Sequence, residues 1–306
     1  MMRVAIMTDE TGWHTGRLKK AFRARGVDAR CVDLAECRID TTWKPYGLAI
    51  PGFGHTLPDA VFVRGIAGGT FEQVTLRLGI LHALRESGVP VYNDARATER
   101  SVDKSMTSFL LNRYGVLTPA TWAGESAAFT QRVLMREAAA NRQVVIKPLF
   151  GSQGKGLEKA GLTLPSLEPF NKVAYLQRYI DAGEPGFDWR VLVIGSQAVA
   201  AMKRVGDDGW IHNFARGATC EPAALTPSLA DVAVRATQAL GLDYAGIDLI
   251  ASDAEQRPLV LEVNGVAAWR GLQSVTPVDI AALLVDDLID RKMASAVSST
   301  SAHAAR

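Results

Sequence analysis

The chain has little cysteine and almost no net charge, and each shortage excludes a class of protein. Its 306 residues include three cysteines, Cys31, Cys37 and Cys220, which form no CxxC pair and cannot all pair with one another. A reduced, cytoplasmic setting is therefore expected rather than a disulfide framework. The formal net charge is +2, with neither a basic tail nor an acidic tract, so the composition predicts no nucleic-acid partner.

Long apolar runs are also missing. A membrane span needs about 20 consecutive apolar residues, and no segment of the sequence approaches that length, so no membrane partner is expected. The first residues lack a signal-peptide profile because Arg3–Met7 is a short, strand-like run. Small and polar residues over 293–306 predict a disordered tail. The sequence leaves open whether the chain forms a homo-oligomer.

The N-terminal region, residues 1–93, has the pattern of a parallel α/β unit. Strand-like runs at Arg3–Met7 and Val27–Val32 flank a helical pattern, and this order is typical of parallel sheets. The turn after the first strand lacks the GxGxxG fingerprint of dinucleotide-binding units, which argues against a Rossmann oxidoreductase. Arg64 follows a further strand, where open α/β sheets bind ligands. It is therefore a candidate substrate residue or, alternatively, a solvated loop arginine.

Two β-prone runs, Gly246–Ile250 and Leu259–Asn264, are joined by a polar connector and predict neighbouring strands. Asp248 interrupts the first run, while Glu262 and Asn264 share one face of the second. A carboxylate inside such a strand is costly to bury unless it is paired or bound to a cation. Oxygen ligands suit Mg²⁺ or Mn²⁺ better than zinc. The alternative is a half-exposed polar face that is satisfied by water or by a neighbouring lysine.

A glycine-rich segment, residues 151–156, directly follows the strand-like run Val144–Pro148. Its three glycines in six residues allow backbone N–H groups to approach an anion closely. The spacing is not that of a P-loop, and a structural turn is the alternative. Lys147, at the end of the strand, is a more specific indication of phosphate binding than the glycines are. Buried lysines are rare unless they are paired, and a nucleotide phosphate would be the pair.

Side-chain nucleophiles are not indicated. The five histidines show no metal-ligand spacing, and no Ser-His-Asp or Cys-His arrangement is persuasive, so the histidines are expected to be structural. His212, beside Asn213, is the exception: it is a candidate acid–base residue, since histidine is the usual acid–base group near neutral pH.

The order of these motifs resembles the ATP-grasp superfamily and, within it, the RimK-type glutamate ligases. The set is collinear over roughly Asp59 to Leu272, and the ordered set is specific although no single motif is. The matching motifs are Asp103-Lys104, Ile146-Lys147-Pro148 with the glycine-rich segment, Gln177-Arg178-Tyr179-Ile180, Asp188-Trp189-Arg190, Lys203-Arg204, Asn213–Gly217, Ala245–Asp248 and Glu262-Val263-Asn264.

The resemblance implies an α/β chain with the ATP-grasp fold and α+β lobes. An N-terminal parallel α/β domain, the pre-ATP-grasp domain, would span residues 1–93. A central lobe with the glycine-rich loop would span residues 94–173, and a C-terminal lobe with the metal site would span residues 174–292.

The same resemblance implies a role for each motif residue. ATP is the implied cofactor, with two Mg²⁺ or Mn²⁺ ions bridging its phosphates. The phosphates would be held by Lys104, Lys147, Gly151, Ser152, Gln153 and Gly154. Adenine would lie against the hinge residues Gln177, Arg178, Tyr179 and Ile180, and the ribose against Asp188. The metal ligands would be Asp248, Glu262 and Asn264, and the contacts to the transferred phosphate and the acyl intermediate would come from Arg190, Arg204, Asn213 and Arg216.

Two departures from the family pattern bear on the substrates. The hinge has Arg178 where similar ligases usually carry Glu, so contacts with the base are expected to rest on backbone groups. After Asn264 the chain reads Gly-Val-Ala-Ala-Trp-Arg-Gly-Leu instead of a Ser-Pro-Gly-rich turn. Within this segment, Trp269 is expected either to stack on a flat acceptor or to be ordinary packing. Arg270 is expected either to bind substrate or to be a surface arginine.

The implied reaction is ATP-dependent ligation. A carboxylate is too poor an electrophile for an amine to attack, so ATP first converts it to an acyl phosphate, and the amine of L-glutamate then displaces the phosphate. The Trp-Arg-Gly-Leu segment most resembles ligases that act on pterin carriers such as tetrahydromethanopterin, which indicates a small-molecule acceptor. The alternatives are ligation to a protein C-terminus or an amino-group carrier, and a nucleotide-binding regulator without turnover.

Overall fold

The computed structural model of the chain describes residues 1–151, 156–183, 186–206, 218–252 and 257–296. These residues form three main sheets and a small hairpin, with helices packed on the sheets. The strands are β1 (Arg3–Met7), β2 (Asp28–Val32), β3 (Arg38–Ile39), β4 (Leu48–Ala49), β5 (Ala60–Val63), β6 (Val91–Tyr92), β7 (Thr121–Gly124), β8 (Val144–Lys147), β9 (Glu158–Ala160), β10 (Ala174–Arg178), β11 (Phe187–Ile194), β12 (Gln197–Val205), β13 (Thr219–Pro222), β14 (Tyr244–Ala251) and β15 (Pro258–Asn264). The helices are α1 (Trp13–Ala24), α2 (Phe71–Glu86), α3 (Ala95–Val102), α4 (Lys104–Arg113), α5 (Ala127–Ala139), α6 (Pro227–Leu240), α7 (Arg270–Ser274) and α8 (Ile280–Asp286), which continues as a π-helical segment, Asp287–Met293.

The N-terminal sheet is parallel, with the strand order β2-β1-β5-β6. Residues Val4–Met7 of β1 are fully buried because helices cover both faces of the sheet. One face packs on α1 through Leu18 and Phe22, and the other packs on α2 through Ile80 and Leu84. The predicted parallel α/β unit is confirmed. Since β2 and β5 lie on opposite sides of β1, the strand order reverses between β1 and β5.

The middle sheet is antiparallel, with the strand order β7-β10-β8-β9. It packs on α5 through a buried cluster that includes Val133, Ile146 and Leu176. The sequence placed residue 174 at the start of the C-terminal lobe, whereas β10 pairs with β8 inside the middle sheet, because Leu176 belongs to the core of that sheet. The boundaries between the lobes otherwise stay predictions.

The C-terminal sheet is antiparallel, with the strand order β13-β12-β11-β14-β15. The two strands predicted around Asp248 and Glu262 are neighbours, and these two residues lie opposite each other. One face of the sheet packs on α6 through a cluster that includes Val191, Ile247 and Val263. The opposite face is apolar at one end, where it meets the N-terminal domain. The other end of that face carries the charged residues of the candidate site.

Asn93 ties the N-terminal domain to the C-terminal sheet. Its side chain is fully buried, and its Nδ2 donates to the carbonyls of Tyr244 at 2.8 Å and Gly265 at 2.7 Å. Its Oδ1 accepts from the backbone N–H groups of Asp243 and Tyr244. One side-chain amide therefore satisfies two buried carbonyls and two N–H groups across the contact between the domains.

Replacing Asn93 with alanine is expected to destabilise the fold by about 3–5 kcal/mol, because several buried backbone groups lose their partners at about 1–3 kcal/mol each. Urea denaturation followed by circular dichroism measures the effect. Asn112→Ala, at an exposed position of α4, is the control and should change the free energy of unfolding by less than about 0.5 kcal/mol. Equal unfolding midpoints for the two variants would contradict the role assigned to Asn93.

The C-terminal helices pack back on the N-terminal domain. α8 and the π-helical segment contribute Leu284 and Leu288 to the buried cluster that contains the apolar face of α1. Residues 293–296, at the start of the predicted disordered tail, are helical, because Met293 packs against the same cluster. Residues 297–306 lie outside the described part of the chain. Among the helices that are described, none combines the length and the apolar character needed to cross a membrane.

Candidate active site

The charged end of the C-terminal sheet is organised around Asp248. It lies across from Arg190 in the pairing of β11 with β14, and Nε and Nη2 of Arg190 donate to its carboxylate. Arg204 on β12 donates from Nε and Nη2 to Asp188, each at 2.7 Å. Arg204 Nη2 also lies 3.1 Å from Asp248 Oδ2. These four residues form one mostly buried ion-pair network, hereafter the Arg–Asp cluster.

Burial and charge act in opposite directions on the acids of the Arg–Asp cluster. Burial alone would raise the pKa of Asp248, but the guanidiniums of Arg190 and Arg204 hold that pKa below its ordinary value. Burial raises the pKa of Asp188 to about 7 against the opposing charge of Arg204. Asp248 is therefore ionised near neutral pH, and the two bonds from Arg204 favour the charged form of Asp188 against its burial. Two arginines and two carboxylates leave the cluster close to neutral.

The two ion pairs of the cluster differ in which hydrogen-bonding groups remain available for a ligand. Both carboxylate oxygens of Asp188 accept from Arg204, so the predicted contact of Asp188 with a ribose would require one of these bonds to open. That role stays a prediction. Arg190 binds Asp248 through Nε and Nη2, and its Nη1 makes no hydrogen bond to any residue that the structure describes. Arg190 therefore retains a donor for an anion.

Glu262 and Asn264 on β15 lie beside Asp248 and offer oxygen ligands. Glu262 is partly buried, and its Oε1 lies 3.9 Å from Lys104 Nζ. Asn264 Nδ2 donates to the carbonyl of Gly246 at 3.3 Å, which leaves Oδ1 of that amide to act as a ligand. Over the described ranges, no group of three or more His, Cys, Asp or Glu residues could hold a metal ion. A metal here would therefore depend on two carboxylates and one amide oxygen, the set that the sequence predicts.

Two lysines from outside the C-terminal sheet lie on the side of these carboxylates. Lys104 begins α4, and its Nζ donates to the carbonyl of Gly151 at 2.8 Å. Lys147 ends β8, and its Nζ donates to Gln177 Oε1 at 2.6 Å. Burial lowers the pKa of Lys147 to about 8, against the negative charge of Glu262, and burial also lowers the pKa of Lys104. The structure thus brings Lys104 to within 3.9 Å of Glu262 and places Lys147 where the charges of Glu262 and Asp248 act on it.

The hinge after β10 is held by an acid that the sequence analysis missed. Glu137 on α5 is 2% exposed and accepts from Nε and Nη2 of Arg178 at 2.9 and 2.8 Å. A signal was present, because Glu137 continues the buried stripe of α5 four residues after Val133. The backbone N–H groups of Arg178 and Tyr179 donate to carbonyls of the central lobe. These two donors are already used, so the predicted backbone contacts with a base would fall to other hinge groups, including those of Ile180.

Several predicted site residues lie outside the described part of the chain. They are Ser152, Gln153 and Gly154 of the glycine-rich segment and Asn213 and Arg216 of the loop before β13. His212, the candidate acid–base residue, lies outside it as well. The roles given to these residues stay predictions.

The three predicted substrate residues lie apart from the lysines, where the N-terminal sheet meets the segment after β15. Trp269 is 1% exposed, and its ring packs edge-on against His14 with 4.6 Å between centroids. The Arg64 guanidinium lies 5.3 Å from the centroid of the Trp269 ring, and Arg270 is exposed. The packing alternative therefore describes Trp269 better than an open platform for a flat acceptor does.

Family models match nearly the whole chain. The RimK PreATP-grasp domain matches residues 2–98, and the RimK-like ATP-grasp domain matches residues 101–288. Both matches follow the chain order of the N-terminal parallel sheet and the two antiparallel sheets.

Two relatives and one solved structure extend this similarity over most of the chain. A probable alpha-L-glutamate ligase 2 of Hahella chejuensis (strain KCTC 2396) is 33% identical over 298 residues, which cover 94% of this chain and 95% of the relative. A tetrahydromethanopterin:alpha-L-glutamate ligase of Methanococcus maripaludis is 29% identical over 302 residues, which cover 94% of this chain and 98% of the relative. The ATP-grasp ligase PsnB, solved with a minimal precursor, Mg and ADP, is 23% identical, with a TM-score of 0.71 over 95% of this chain and 97% of that chain. At that identity the solved structure shows the fold alone, and the predicted ATP-grasp fold with its pre-ATP-grasp domain is confirmed.

Proposed function

The chain belongs to the RimK-like ATP-grasp family, and from that premise we propose that it joins an acceptor carboxylate to the amine of L-glutamate. Relatives that it matches over most of their length are named as ligases, and the chain is an ADP-forming ligase of this family. The proposed sequence is transfer of the γ-phosphoryl group of ATP to the carboxylate, followed by attack of the amine on the acyl phosphate. The products are an amide, ADP and phosphate.

The observation that carries the proposal is the contact of Lys104 with Glu262, beside a second lysine on which the same carboxylates act. Lys104 lies 3.9 Å from Glu262, and the charges of Glu262 and Asp248 both act on Lys147. A triphosphate between these elements would meet positive charge from the lysines, while its metal ion would meet the carboxylates. Phosphoryl transfer depends mainly on such positioning and charge neutralisation, so the arrangement suits ATP without a side-chain nucleophile.

The donor set fits a hard divalent cation. Asp248, Glu262 and Asn264 offer oxygen ligands alone, which suit Mg²⁺ or Mn²⁺. Because Asp248 already faces Arg190 and Arg204, the set has little excess negative charge before nucleotide binds. We therefore expect the ion to bind together with ATP. When bound, it would neutralise charge on the phosphates.

Arg190 is placed to assist the reacting groups. Its Nη1 would lie 2.9 Å from a Cβ at Gly246, so glycine at that position allows the guanidinium to approach the sheet closely. A cationic donor held by Asp248 can orient an anionic carboxylate for phosphorylation. The same donor can stabilise the oxyanion that forms when an amine attacks the acyl phosphate.

For the acceptor, we propose a small cofactor such as a tetrahydromethanopterin-type pterin. Support comes from the named activity of the Methanococcus maripaludis relative and from the segment that contains Trp269 and Arg270. Ligation to a protein C-terminus or to an amino-group carrier is the rival within the same class. A nucleotide-binding regulator without turnover is the rival from another class, and the retained carboxylates Asp248 and Glu262 argue against it.

ADP release from the full chain, with ATP and Mg²⁺, tests the proposal. Tetrahydromethanopterin, a peptide ending in glutamate and no acceptor are compared, each with L-glutamate, L-glutamine or L-lysine. The expected result is ADP release that needs both the pterin and L-glutamate, together with a mass increase of about one glutamyl unit on the pterin. Preference for L-glutamine or L-lysine would refute L-glutamate as the amine substrate. Absence of ADP release with every pair of substrates would favour the alternative function, a nucleotide-binding regulator without turnover.

A further inference from the structure

Five residues from three parts of the chain meet at the carboxyl ends of β1 and β5. Asp9 follows β1, His14 lies in the first turn of α1, and Arg64 follows β5. Trp269 and Arg270 reach the same place from the segment after β15. We call these five residues the switch-point cluster, because the strand order of the N-terminal sheet reverses between β1 and β5. Open α/β sheets bind ligands at such a position.

The switch-point cluster contains two buried donors without acceptors. Arg64 Nε and Trp269 Nε1 are both buried, and neither has a hydrogen-bond partner in the part of the chain that the structure describes. The charge of Asp9 acts on Arg64, but the described residues show no ion pair between the two. A buried donor without an acceptor costs free energy. An acceptor that reached these two donors from outside the chain would therefore gain hydrogen bonds that the described residues do not supply.

The histidine of the cluster supports Trp269 without adding charge. His14 Nε2 accepts from the backbone N–H of Trp269 at 3.1 Å, so this nitrogen is unprotonated and the other ring nitrogen carries the proton. Burial, with the charges of Arg64 and Arg270, lowers the pKa of His14 to about 4. His14 is therefore neutral near neutral pH. The two arginines against the single charge of Asp9 leave the cluster positive, which favours an anion.

The switch-point cluster is connected to the Arg–Asp cluster through Gly246. A Cβ at Gly246 would lie 2.9 Å from Arg190 Nη1 and 3.0 Å from the Cβ of Ala267. Ala267 is two residues before Trp269, in the segment that leads from β15 into the switch-point cluster. The segment that carries Trp269 and Arg270 therefore packs against Gly246, beside the guanidinium of Arg190.

We propose that the switch-point cluster is a subsite for a substrate carboxylate that is not phosphorylated, with Arg64 and Trp269 Nε1 as its donors and Arg270 as added positive charge. The inference rests on the proposed function, because the carboxylate belongs either to L-glutamate or to the acceptor. In both cases Arg64 touches the substrate, and His14 is a positioning residue that holds Trp269.

Calorimetric titration of the full chain without nucleotide tests the subsite. L-glutamate is the probe for the amine substrate, and N-acetyl-L-glutamate, whose amine is blocked, is the probe for the acceptor. Arg64→Met is expected to weaken binding of the probe that uses the subsite by about tenfold or more, since it removes charge-assisted hydrogen bonds. Arg64→Lys, which keeps the charge but loses the planar fork, is expected to weaken it less.

The control is a second arginine whose guanidinium lies over an indole ring, away from the switch-point cluster. The Arg38 guanidinium lies 5.2 Å from the ring centroid of Trp43, so Arg38→Met removes an arginine from an indole without touching the subsite and should leave binding unchanged. Thermal unfolding of Arg64→Met should match that of Arg38→Met, because each variant loses one contact between a guanidinium and an indole ring, and Arg64 Nε has no hydrogen-bond partner among the described residues to lose. A purely structural Arg64 would instead lower the unfolding temperature.

The outcomes separate the subsite from the proposed reaction. Unchanged affinity of Arg64→Met for both probes, or no binding of either probe to the wild type, would overturn the subsite whatever ADP release shows. A wild type that binds a probe in an Arg64-dependent way but never releases ADP would support the subsite and refute the proposed reaction.

Discussion

Glu262→Gln is expected to reduce ADP formation by about 10²-fold or more while the protein stays folded. A metal ion at phosphates contributes several kcal/mol of charge stabilisation, and each 1.36 kcal/mol corresponds to about tenfold in rate. Glu262 is the informative ligand because its nearest cation is Lys104, at 3.9 Å, so the change strands no tightly paired charge. The measurement is ADP release against Mg²⁺ concentration, and the variant should need a higher Mg²⁺ concentration for half-maximal rate.

A glutamate elsewhere on the same sheet provides the control. Glu221 is exposed on β13 and lies across from Lys203, so Glu221→Gln removes one charge from the sheet without touching the predicted metal ligands and should retain the wild-type rate. Asp248→Asn would be a poor substitute, because it leaves Arg190 and Arg204 buried without their shared partner, which destabilises proteins by about 3–5 kcal/mol. A wild-type rate and an unchanged Mg²⁺ requirement in Glu262→Gln would remove Glu262 from the metal site.

The sequence was sufficient for features that depend on neighbouring residues. Two β-prone runs joined by a short polar connector predicted that Asp248 and Glu262 lie on adjacent strands. Alternation placed Glu262 and Asn264 on one face, because side-chain direction in a strand follows from position. The N-terminal parallel unit followed from strand and helix periodicity over residues 1–93. The resemblance in motif order then supplied the ATP-grasp fold, which the family matches confirm.

Features that depend on distant pairing could not be predicted. Asp248 and Arg190 are 58 positions apart, and their ion pair follows from the register of β11 against β14. Trp269 and His14 are 255 positions apart and meet only because the C-terminal segment packs on the N-terminal sheet. Short elements were also missed, including β7, β9 and α3, since three to eight residues carry little periodic signal.

Lys147→Met is expected to weaken ATP binding by about tenfold to a hundredfold, because a buried ammonium paired with phosphate is lost. Burial lowers the pKa of Lys147 to about 8 from its ordinary value of 10.5, which means that holding the charge in the folded protein costs free energy, so loss of the charge itself should not destabilise the fold. The variant also loses the hydrogen bond from Nζ to the buried Gln177 Oε1, which is expected to lower the free energy of unfolding by about 1–3 kcal/mol. The loss of phosphate binding should appear in the dissociation constant of ATP, measured by calorimetry on the folded variant.

Because the pKa of Lys147 is lowered, the affinity for ATP is also expected to depend on pH. Below about pH 8 Lys147 is protonated in the free protein and ready to bind phosphate, so ATP affinity in the wild type should depend little on this lysine's titration. Above that pH the lysine must first take up a proton, so affinity should fall by up to about tenfold per pH unit. The methionine variant should lose this component of the decline, whereas Lys172→Met, at a side chain that is 75% exposed, should retain it. An identical decline in Lys147→Met and the wild type would assign the pH dependence to another group and leave Lys147 without a role in binding phosphate.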